Sequence, residues 1–159
     1  MSDHGSGEDV ALPLDPDIEA PAIGHPTRPT PSHALAVFAG GCIGTLLRYG
    51  VTQELHQSPH AFPWTIVTIN AIGALLLGIL GGSLFITRPE SVTLRLFLGA
   101  GILGGWTTYS AIVVGLLTFA HFGHWVLLVV NMIAAVLLPF AGASIGLVVG
   151  NSIVRMGRS

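Results

Sequence analysis

The sequence contains no lysine, a single cysteine (Cys42) and, after Glu54, a single acidic residue, Glu90. Only 9 % of its 159 residues are charged, against roughly 25 % in soluble domains. So few charges cannot cover the surface of a soluble domain, which disfavours a soluble enzyme or a nucleic-acid binder. One cysteine cannot bridge internally, so a disulfide scaffold is disfavoured and the redox compartment is unreadable. Catalytic groupings are missing as well. There is no Ser-His-acid set, no His or Cys spacing suited to a metal and no carboxylate within an apolar run, so an enzyme is not expected. His121 and His124 bracket a short loop and read as solvated interface residues. Coupled export usually relies on an intramembrane acid. Glu54 lies at a helix edge, so passive permeation fits better.

The charges that exist are unevenly placed. Asp3, Glu8, Asp9, Asp15, Asp17 and Glu19 precede residue 32, together with six of the ten prolines and one arginine. The stretch 1–31 therefore carries −5 and the remainder +3, which make up the net −2. The former reads as a disordered, acidic, proline-rich tail, the latter (32–155) as the membrane domain. An acidic start without a following apolar core is not expected to be a secretory signal. Ser2 and the C-terminal residues carry no lipidation signal.

What is abundant is apolar: 51 % of the chain, gathered into four runs. They cover about 33–53, 64–86, 92–120 and 125–149. Crossing a bilayer takes about 20 apolar residues, so the pattern predicts an all-α integral membrane protein with four transmembrane helices. Short connections favour antiparallel neighbours. With four spans, Arg28, Arg88, Arg95, Arg155 and Arg158 fall on the side of both termini, and only Arg48 lies near the other. This bias predicts both termini in the cytoplasm and one orientation in the cell membrane. Glycines at spacing four recur: Gly40 and Gly44, Gly78 and Gly82, Gly101 and Gly105, and Gly142, Gly146 and Gly150. They read as close helix contacts within the bundle or between subunits.

Polar residues within the spans carry the functional signal. Arg48 either snorkels to the interface or serves a pathway. Asn70 either bonds to a neighbouring helix or offers its amide N–H to a permeant species; Asn131 admits the same readings, with packing favoured. The third span is densest, with Gly99, Gly101 and Gly104-Gly105-Trp106-Thr107-Thr108-Tyr109-Ser110. Glycines permit non-helical backbone and hydroxyls can satisfy the groups it frees. A helix broken mid-membrane there would expose carbonyls at a half-helix end, a natural seat for a small cation. An unbroken, glycine-rich packing helix is the other reading.

At these residues the chain resembles the CrcB/Fluc family of fluoride channels over roughly residues 35–150. Gly40-Gly41-Cys42-Ile43-Gly44 and Arg48-Tyr49 match the family's glycines and Arg-Tyr. Pro63-Trp64, Asn70, Gly73 and Gly78 follow its Pro-Trp lead-in and Asn-x-x-Gly pattern. Gly104-Gly105-x-Thr107-Thr108-Tyr109-Ser110 is close to its Gly-Gly-x-Thr-Thr-Phe-Ser. The resemblance implies an antiparallel dimer of four-helix subunits with two fluoride pathways and a structural, untransported sodium ion. By that likeness, Gly104 and Thr107 carbonyls hold the sodium and Asn70 donates to fluoride. Thr108, Tyr109 and Ser110 line the pathway, and Arg48 guards a vestibule. Fluoride is tightly hydrated, so a dry pore must replace water with N–H, O–H or aromatic edges.

The departures also inform. The family's two phenylalanines, three residues apart, are here Tyr109 and Ile112, and isoleucine offers no anion contact. Thr65-Ile66 replaces a Gly-Thr, and Val129 and Ile133 stand at expected polar positions. Joined to the one-way arginine bias, these changes predict a heterodimer with an oppositely oriented paralogue; a homodimer is the alternative. The expected function is passive export of fluoride from the cytoplasm, relieving toxicity. A non-conducting assembly subunit and a small multidrug or cation exporter are the rivals.

Overall fold

The computed structural model describes residues 30–55, 57–58, 61–88 and 90–157. The acidic stretch up to residue 29, with Arg28, and Arg158 lie outside the described residues. Every regular element among the described residues is helical. α1 runs Pro31–Glu54, with Pro31 at its first position, where a fixed φ and a missing N–H cost nothing. α2 (Trp64–Gly82) passes through Ser83 into the short α3 (Leu84–Thr87). The third span is assembled from pieces. α4 (Val92–Arg95) leads into a π-helix, Leu96–Leu103, then α5 (Gly104–Trp106) and, after a break, α6 (Ser110–His121). Gly123, at φ +72°, turns the chain between α6 and α7 (Trp125–Met156).

Four of these stretches are long and apolar enough to cross a membrane: Pro31–Glu54, Trp64–Thr87, Val92–His121 and Trp125–Met156. The last continues to Met156 rather than stopping near Val149, because polar residues beyond the apolar run end its hydrophobicity without ending its hydrogen bonding. The surface is that of a membrane protein. Large apolar side chains such as Phe38, Leu46, Val126 and Phe140 are exposed, while among the described residues the buried apolar core is Val67, Ile69, Leu103, Ile112 and Phe119.

The bundle is built from two helix pairs. α2 packs most extensively on α7, and α1 packs on the π-helix and α5. Each pair is closed by a glycine seam. A Cβ at Gly40 or Gly44 would run into the backbone of Phe97, Gly101 or Ile102, and one at Gly105 into that of Gly41. A Cβ at Gly78 would strike Ala143, and one at Gly146 would strike Leu75. Lipid leaves no hydrophobic force to drive helices together, so van der Waals packing at close backbone contacts of this kind holds them instead. All four glycine sets read from the sequence are therefore used within one subunit.

Candidate functional site

The two pairs are joined where the third span opens. Thr107 adopts an extended backbone, φ −76° and ψ 153°, and helix resumes only at Ser110. In a continuous α-helix the Thr108 N–H would donate to the Gly104 carbonyl. Here it donates to Asn70 Oδ1 at 2.8 Å, and Asn70 Nδ2 donates to the Thr108 carbonyl, also at 2.8 Å. The amide of Asn70 thus replaces both backbone partners of one residue. One of its two N–H bonds is committed to this grip and one is not. Gly73 stands one turn further along the same face of α2. A Cβ there would overlap Thr107 Cγ2 and lie 2.9 Å from Trp106 Cδ1. The Asn-x-x-Gly spacing is therefore a socket, with Asn70 gripping Thr108 and Gly73 admitting Trp106 and Thr107. Trp106 Nε1 locks it by donating to the Ile69 carbonyl at 2.9 Å.

α1 supports the break from the other side. The Gly105 carbonyl accepts Arg48 Nε at 3.2 Å and Thr45 Oγ1 at 3.4 Å. Arg48 is half-buried. The Leu103 carbonyl takes both the N–H and the hydroxyl of Thr107, each at 3.0 Å. Among the described residues nothing donates to the carbonyls of Gly104 and Thr107. Beyond the break, α6 begins inside the membrane domain, and the first backbone bond onto it is Val113 N–H to the Tyr109 carbonyl at 3.2 Å. The N–H groups of a first helical turn lack intrahelical partners and carry partial positive charge. The break therefore presents bare carbonyls on one half-helix and bare N–H groups on the next.

A cavity of about 540 Å³ lies against it, lined by Asn70, Gly73, Gly104, Thr107, Thr108, Tyr109 and Ile112 among others. It gathers most of the residues singled out from the sequence. Ser110 joins through a 3.1 Å hydroxyl pair with Thr108, whereas Arg48 stands on the far side of the third span, toward α1. Tyr109 is well exposed, while Ile112 is buried.

The opposite wall holds one residue that sequence reasoning passed over. Pro139 lies within α7 and has no N–H to give the Ala135 carbonyl; both residues line the cavity. A proline within an apolar run was the available signal. Asn131 is wholly buried, in keeping with its expected packing role, yet neither amide atom has a hydrogen-bond partner among the described residues. Its Nδ2 lies 3.4 Å from where a Cβ of Gly115 would stand.

Comparison with known proteins places this architecture. The family described as CrcB-like protein, Camphor Resistance (CrcB), matches residues 35–147. A protein named fluoride-specific ion channel FluC from Parabacteroides distasonis is 30 % identical over 74 % of this chain and 91 % of its own length. FluC 2 from Bacillus licheniformis is 38 % identical over 75 % of this chain and 87 % of its own. FluC 1 from Mycolicibacterium paratuberculosis is 39 % identical over 57 % and 68 % respectively. The match spans all four membrane helices and the socketed break between them, and on that ground the chain belongs to the CrcB family.

Proposed function

We propose that this chain is a subunit of a channel that lets fluoride leave the cytoplasm down its gradient. The observation that carries the reading is the break in the third span. It puts Asn70, Thr108 and Tyr109 on the wall of one cavity, with the start of α6 and the Ser110 hydroxyl, paired with that of Thr108, next to them. These groups can replace the water around a small anion without carrying a full charge that would trap it. The names of the relatives support fluoride as that anion. Glu54, at the exposed end of α1, leaves no acid inside a span for proton-coupled transport.

In this reading the carbonyls of Gly104 and Thr107 hold a sodium ion. Both are hard oxygen donors released from the helical ladder, and such donors suit a small, hard cation. A sodium ion held there would supply positive charge beside the break and would help to hold two subunits together. Arg48 remains the guardian of a vestibule: its Nε bond to Gly105 leaves the other guanidinium N–H groups for solvent or anion.

The subunit works as half of a dimer whose other half is an oppositely oriented relative. Two observations support a heteromeric pair. Arg88, Arg95 and Arg155 share one side of the bundle, and Ile112, at a family phenylalanine position, lines the cavity without an anion-binding group. The test is fluoride efflux from liposomes, with chloride as control. This chain alone gives little efflux, and adding an oppositely oriented relative restores it. Robust efflux from this chain alone overturns the heteromeric pairing. No fluoride efflux in either preparation overturns the channel reading. Ile112 also favours a second reading, a non-conducting assembly subunit; Asn70→Asp in this chain leaves the pair's efflux intact only in that case.

A further inference from the structure

A second cavity adjoins the first, between α3 and the start of the third span. It measures about 460 Å³ and is lined by Leu77, Phe85, Val92, Arg95, Leu96, Gly99 and Ala100. All of these are apolar except Arg95. Arg95 belongs to the first turn of the third span, about 5 Å along the helix axis from its start at 1.5 Å per residue. That depth lets an arginine keep its aliphatic stem in hydrocarbon and its guanidinium at headgroup level. Its guanidinium carbon stands 5.0 Å from the centre of the Phe85 ring, which steers the charge to the mouth of the groove. Arg88, exposed where α3 ends, adds a second cation in the loop below, against one acid, the exposed Glu90. Gly99 deepens the floor: a Cβ there would come within 3.3 Å of Phe85.

An apolar trough with a cationic rim at membrane-interface depth matches one chemistry. We infer that the groove between α3 and the start of the third span binds a phospholipid with an anionic headgroup, its phosphate on Arg95 and one acyl chain along Leu77, Leu96 and Ala100. Leaflets facing the cytoplasm are rich in such lipids. The inference rests on the membrane span and the groove, not on which ion the protein conducts. Leu77 and Gly99 also line the functional cavity, so a bound acyl chain packs against the outer wall of the site itself.

The test is thermal unfolding of the full chain in detergent, titrated with phosphatidylglycerol or with phosphatidylcholine. Phosphatidylglycerol raises Tm by about 4 °C or more over the matched phosphatidylcholine sample, as expected for a ligand well above its Kd. Arg95→Lys keeps part of this difference and Arg95→Gln loses it. Ala100→Phe fills the trough without touching a charge and loses it too, which guards against an Arg95 variant that merely fails to fold. Equal shifts with both lipids, or a full phosphatidylglycerol shift in Ala100→Phe, overturn the site. So does a shift that appears only once residues 2–29 are removed, since the acidic tail would then be the occupant.

Discussion

Two helices of this protein lose backbone hydrogen bonds inside the membrane, and they respond in opposite ways. α7 contains Pro139, the residue least compatible with a helix interior, yet it runs unbroken from Trp125 to Met156. The third span contains no proline and comes apart at Thr107–Tyr109. Loss of a donor by itself therefore does not open a membrane helix. α7 forfeits one bond, at Ala135, and its glycine seam against α2 holds the rest in place. The third span opens where the backbone groups of Thr108 and Gly105 are met by side chains from α2 and α1. Asn70 takes both partners of Thr108, Arg48 and Thr45 take Gly105, and the Thr107 hydroxyl doubles up on Leu103. The carbonyls left over, at Gly104 and Thr107, are those proposed to meet the sodium ion.

The contrast can be broken most severely at Asn70. Asn70→Leu leaves the half-buried Thr108 N–H and carbonyl without protein partners, at about 1–3 kcal/mol each. The expected result is a loss of about 2–5 kcal/mol in detergent unfolding, together with loss of fluoride efflux from the reconstituted pair. Asn70→Asp retains an acceptor for Thr108 N–H but no donor. Its efflux should fall further than its stability, and equal falls would mean that Asn70 serves the fold alone.

The seams come next. Gly44→Ala places a methyl against the Ile102 carbonyl and Gly146→Ala places one against Leu75, so each should cost about 1–3 kcal/mol by overpacking. Gly81, with open space around its absent Cβ, is the control; Gly81→Ala should be neutral or stabilising by up to about 1 kcal/mol. Equal effects at all three positions would show that helix propensity, not backbone contact, governs these glycines. The smallest change is expected at Pro139. Pro139→Ala restores one N–H to the Ala135 carbonyl and should shift stability by about 1 kcal/mol or less. A shift as large as that of Asn70→Leu would mean that α7 is also held in a special shape by its neighbours.

The four spans are legible in the sequence because bilayer thickness dictates the length of an apolar run, and little else competes with it. The residues of the break are legible as well, since Gly-Gly-x-Thr-Thr is a poor membrane helix on composition alone. The π-helix of Leu96–Leu103 is not, because its widened turn leaves no mark in residue type. The hydrogen bonding of Asn131 is illegible for a related reason. Sequence shows that an amide is inside a membrane, but whether a partner comes within reach depends on how α6 and α7 meet, and here none does among the described residues.

By itself, then, the sequence determined the four long apolar helices and the set of residues able to leave the helical state. Tertiary structure decided which of two possible backbones that set adopts. Glycine and threonine lower the cost of opening a helix without supplying a reason to open it. The reason is an amide 38 residues away, placed by α2 where it satisfies Thr108 at both ends. In a medium without water, a polar backbone group goes where a partner is, and only the fold determines where that is.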